Sequence, residues 1–115
     1  MGNSQLVVDA KEVEMAMEAY AKAKAAEAQA DADLKNANKD VKAANHDVHQ
    51  AEQEDAGTEV IKELRAKLRK AIQRQAAAQE GHETAELALA AATKLVQHAL
   101  SDLFQDLMKL PLFGK

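Results

Sequence analysis

Inward-facing residues recur along this chain at alternating spacings of three and four, and one of each pair is almost always alanine. Ala16, Ala23, Ala30, Ala37, Ala44 and Ala51 stand seven residues apart, and Leu64, Ala71, Ala78, Ala85, Ala92 and Ala99 repeat the spacing further on. The other inward position lies three residues earlier. It reads Val13, Tyr20, Glu27, Leu34, Val41 and Val48, then Ile61, Leu68, Gln75, His82, Leu89, Val96 and Leu103. A seven-residue repeat keeps one stripe of a helix facing a partner helix. One large and one small residue per repeat predicts an all-α fold of two long antiparallel helices, an Ala-rich coiled-coil hairpin closed along one seam.

The pattern breaks once, at Glu54-Asp55-Ala56-Gly57-Thr58. Gly57 suits the left-handed conformation that ends many helices. Thr58 is a good N-cap, and Glu59 favours the positive end of a new helix. Helix one is therefore expected over about residues 7–55 and helix two over about 58–109, with an apolar tail at 110–115. At about 1.5 Å per residue each arm would be roughly 70 Å long.

Charges give an independent check on the turn. Acids flank the first seam at Asp33, Asp40, Asp47 and Glu54, and the matching flank of the second arm carries Lys67 and Arg74. In an antiparallel pair, like-named flanking positions meet. Asp47 with Lys67 and Asp40 with Arg74 share a midpoint at Gly57, and Glu52 with Arg65 agrees closely. The same register sets Ala44 against Ala71, Ala37 against Ala78, Ala30 against Ala85, Ala23 against Ala92 and Ala16 against Ala99. Over residues 13–103 this resembles the tight antiparallel helix pairs called Alacoils, a packing class that carries no activity of its own. Glu27, Gln75 and His82 place polar groups on the seam opposite Leu89, Val41 and Leu34. With Gly81 beside His82, a bend or local mobility is expected near residues 79–83.

Apolar residues leave the seam near the two termini. Arm one adds Val7, Val8, Met15 and Met17. Arm two adds Leu95, Leu100, Phe104, Leu107 and Met108, with Val13 and Leu103 on the seam between them. Two helices cannot cover so wide a face, and an extended exposed patch of this kind marks a binding surface. Pairing of two copies into a four-helix bundle or a larger assembly is the expected solution. Beyond Pro111, which stops the helix, Leu112 and Phe113 follow Leu110. Leu110, Leu112 and Phe113 resemble the Gln-Leu-x-Leu-Phe pentapeptide by which bacterial proteins bind the replication sliding clamp, with Lys109 where the pattern has Gln. The resemblance implies a tail that docks on another protein. The expected partner-binding residues are thus Leu6, Val13, Met17, Leu95, Leu100, Leu103, Phe104, Leu107, Met108, Leu110, Leu112 and Phe113.

Composition narrows the function. Hydrophobic residues make up 47% of the chain, but much of that is alanine, and aromatics are 3%. Alanine favours helix while burying little area, so a thick globular core is excluded. There is no cysteine, which removes disulfides and thiolate chemistry. Net charge is −4, which gives no general attraction for nucleic acid. Residues 1–57 hold twelve acids and six bases, and residues 58–115 hold seven acids and nine bases, so the arms attract one another. Lys62, Arg69 and Lys70 face away from the acidic arm, without aromatic residues for base stacking. No His has an acid three residues before it, so the Glu-x-x-His pattern of di-metal bundles is missing. His46 and His49 read as solvated side chains. Neither a phosphate-binding loop nor a nucleophile motif occurs. No membrane span and no secretory leader pattern is read, giving an expected cytoplasmic or virion-associated setting. The expectation is a non-enzymatic structural or protein-interaction protein without cofactors, of the kind found as a viral or phage accessory protein. The rival expectations are a small regulator docking a host protein through its tail and a nucleic-acid-associated accessory protein.

Overall fold

A computed structural model describes residues 2–111, with side chains described from Ser4 onward. Two helices, α1 (Gly2–Gln53) and α2 (Thr58–Met108), form an all-α antiparallel hairpin, and there is no strand among the described residues. Packing divides the chain into two compact units, each a pair of helical segments. One combines Met1–Glu27 with Ala85–Lys115 and holds both chain ends. The other is Ala28–Thr84 and holds the turn.

The seam follows the heptad pattern. Every seam position from Val13 to Ala51 and from Ile61 to Leu103 is buried or half-buried. Among the described residues, the buried apolar ones are seven alanines and one valine: Ala16, Ala37, Val48, Ala51, Ala71, Ala85, Ala92 and Ala99. Most of the large seam residues stay half-buried. Two helices in contact can enclose a methyl group, whereas most of the longer seam side chains reach an open flank. The buried core is therefore made almost wholly of the smallest apolar side chain, and each of its layers buries little area.

The turn differs from expectation in one respect. Gly57 has no left-handed φ. Asp55 takes that conformation instead, at φ 59°. Ala56 N–H donates to the Ala51 carbonyl at 3.0 Å and Asp55 N–H to the Glu52 carbonyl at 3.3 Å. These are the two reverse bonds of a Schellman ending, with Asp55 in the position usually held by glycine. Aspartate tolerates this backbone because its short polar side chain can bond locally. Gly57 serves the next helix: its carbonyl accepts Ile61 N–H at 3.1 Å. It thereby holds the N-cap position given above to Thr58, which becomes the first helical residue. Glu59 lies in the first turn of α2.

Two further differences concern the arms. α1 begins at Gly2, about five residues before the sequence pattern places it. This brings Leu6, one heptad ahead of Val13, onto the seam, where it is half-buried. α2 runs without interruption through Gly81, whose surroundings are open. The cost of one glycine is small against the cooperativity of a helix this long.

Charged flanks are only partly locked. Arg65 Nη2 meets Glu52 Oε2 at 3.1 Å, as the register requires. Asp40, Asp47, Lys67 and Arg74 line one shallow groove with Ala44 and Ala71. They lie together there without an ion pair between them among the described residues.

Candidate partner-binding surface

Apolar side chains spread to both flanks of the seam in the unit that holds the chain ends. In heptad terms, Val7, Met17, Leu100, Phe104 and Leu107 project on one flank, and Val8, Met15, Ala19 and Leu95 on the other. On the first, Leu100, Leu103, Phe104 and Leu107 bound an open apolar groove along α2, with Phe104 64% exposed. On the second, Met15, Ala16, Ala19, Leu95 and Ala99 line a groove between the helices, edged by Glu12 and His98. Leu95 is 55% exposed there.

Among the residues expected at this surface, Met17, Leu95, Leu100, Phe104 and Met108 are exposed. Leu6, Val13, Leu103, Leu107 and Leu110 are half-buried, so they support the exposed side chains as much as they present themselves. Leu110 follows the end of α2, where its N–H donates to the Leu107 carbonyl at 3.2 Å. Leu112 and Phe113 lie outside the described residues, and with them the match to a clamp-binding tail. Leu87, also strongly exposed, escaped the sequence reading because it sits singly on the outer face of α2.

The seam at this end holds a feature the alanine pattern conceals. Seven residues before Ala16 stands Asp9, and seven after Ala99 stands Asp106. They occupy the small-residue layer next to Ala16 and Ala99, between the Val13–Leu103 and Leu6–Leu110 layers. Asp9 is 2% exposed. Gln5 Nε2 donates to its Oδ1 at 3.0 Å, while its Oδ2 has no hydrogen-bond partner. The Asp106 carboxyl within hydrogen-bonding reach, and then burial, push Asp9 above the ordinary carboxylate range, with Gln5 opposing. Asp106 is half-buried, and Lys109 Nζ stands 3.5 Å from its Oδ1. Extending the heptads one step at each end would have found this pair.

The polar residues in the other unit are also matched across the seam. Gln75 Nε2 donates to Asn38 Oδ1 at 2.8 Å. His82 Nε2 stands 3.6 Å from Asp31 Oδ1, and Asp31 also pairs with Lys35 at 3.2 Å. Both cross-links join a seam residue of α2 to a flanking residue of α1, one heptad apart. Each long polar side chain leans off the seam to a partner at its edge, where the sequence register had set it against an apolar residue.

No group of three or more His, Cys, Asp or Glu among the described residues is placed to hold a metal ion. No helix among them is long and apolar enough to cross a membrane. No family model, curated protein or solved structure matches this chain.

Proposed function

We propose that this protein is a non-enzymatic assembly module that associates through the apolar flanks of its open end, with a second copy of itself as the partner. The observation that carries this reading is the distribution of exposed large apolar residues. Val7, Val8, Met15, Met17, Leu95, Leu100, Phe104 and Met108 all lie in the unit holding the chain ends. Only Val60 and Ile72 are comparably exposed in the unit holding the turn. A helix pair with apolar residues on both flanks of its seam has the pattern of half a four-helix bundle. A two-fold pairing covers such a face with one self-complementary contact. The alanine seam supports the role by pairing the two helical segments that carry these flanks.

The absence of cysteine from the described chain permits a direct test. Single-cysteine variants Leu100→Cys and His46→Cys are treated with a short bis-maleimide crosslinker at micromolar concentration. The reading expects covalent dimer from the open-end variant and little from the exposed position on the other unit. Equal crosslinking from both, or none from either, would remove the open end as the contact.

A further inference from the structure

We propose that Asp9 and Asp106 form a proton-sharing clasp across the open end, closed when one proton bridges the two carboxyls and weakened when both ionise. The inference stands on geometry and is independent of the proposed partner. Both residues occupy seam positions that elsewhere in this unit hold alanine, with Ala16, Ala85, Ala92 and Ala99 buried, so the heptad register brings a carboxyl from each helix onto the seam. Asp9 is almost wholly enclosed, and one of its oxygens has no donor. Two facing carboxylates offer only acceptors. A single proton between them supplies the missing donor and removes one of two like charges.

The surroundings do not replace that proton. Along α1, Gln5 satisfies the other oxygen of Asp9 and Glu12 adds further negative charge. On α2, Asp102 lies exposed one turn before Asp106, and Lys109 supplies a cation beside Asp106. The Lys109 ammonium reaches Asp106 at 3.5 Å, but its side chain is 77% exposed and therefore strongly screened. The folded arrangement thus favours the protonated pair more than the unfolded chain does, which is the direction seen for Asp9. An acid raised on folding stabilises the fold fully below its unfolded value, 3.8. It loses that contribution as pH rises through the folded value. The clasp therefore closes toward acid and weakens toward neutrality, with the first turns of α1 and the last turns of α2 released first.

The test uses the full chain. Side-chain carboxyl carbons of the native protein are titrated by NMR, and thermal midpoints are followed over the same pH range for native protein, Asp106→Asn and Asp102→Asn. Asp9 is expected to titrate above the ordinary carboxylate range in the native protein. Asp106→Asn supplies a permanent amide donor. Its midpoint should exceed that of native protein increasingly as pH rises, while Asp102→Asn tracks the native curve. Asp9→Asn serves the same comparison if Asp106→Asn does not fold. Titration of Asp9 within the ordinary carboxylate range would overturn the proposal. So would an Asn variant whose pH dependence parallels that of native protein.

Discussion

If close backbone approach along an alanine seam is what holds the hairpin, enlarging one buried alanine should destabilise it even though leucine is more hydrophobic. Ala37 is the sharpest case. It is 7% exposed, it sits in the turn-bearing unit away from the apolar flanks, and the register sets Ala78 opposite. Ala37→Leu adds three carbons. Were they buried without displacement, transfer alone would favour the variant by about 2 kcal/mol. Two helices at close approach leave no room for them. Either the new side chain takes a poor rotamer or the arms separate and unseat the neighbouring Ala30 and Ala44 layers. Overpacking of this kind costs about 1–3 kcal/mol net. At roughly 4–8 °C per kcal/mol, a midpoint loss of several degrees is expected. Ala32→Leu is the control: it is exposed on the same helix, and leucine and alanine differ little in helix propensity. The assay is thermal unfolding by circular dichroism at matched concentration. An Ala37→Leu midpoint equal to or above that of Ala32→Leu would refute the close-packed seam.

Three further outcomes follow from particular contacts. Gln75→Leu should raise stability by about 1 kcal/mol, because leucine gains burial on the seam while Asn38, being exposed, turns to water when its 2.8 Å bond is lost; chemical denaturation reads this, and a loss would show that the bond itself is needed. Asp55→Gly should stabilise by up to about 1 kcal/mol by relieving its left-handed backbone, with Asp55→Val destabilising, as judged by the same unfolding curves. A double-mutant cycle on Glu52 and Arg65 should give a coupling of only about 0.2–1 kcal/mol, fading with added salt, since both partners are about half exposed.

The seam was legible because its signal is redundant. Alanine at one position and a larger residue three before it, repeated in two arms, leaves one helical solution, and the charges at Glu52 and Arg65 set the register without reference to the apolar pattern. What the sequence hid was local competition. Gly57 and Asp55 can both end a helix, and only the hydrogen bonds to Ala51 and Glu52 decide which does. Thr58 has a capping side chain, yet the carbonyl that starts α2 belongs to Gly57. Asp9 and Asp106 lie where a reader following alanine stops counting, because aspartate breaks the composition while keeping the spacing. Gln75 and His82 found edge partners in Asn38 and Asp31 because long side chains can lean, a freedom that a register diagram of facing positions omits. The apolar flanks were readable as a cluster, but burial divides that cluster into exposed contacts such as Phe104 and half-buried supports such as Leu103.

Association through the open end is read most directly from solution mass. Light scattering would be run over a concentration series on the native chain and on a Leu100→Glu, Phe104→Glu double variant, both substitutions being at exposed positions that leave the alanine seam untouched. The expected result is a native oligomer that falls to monomer in the variant while helical content is retained. A native chain that is monomeric throughout, or an oligomer that survives both charges, would contradict it.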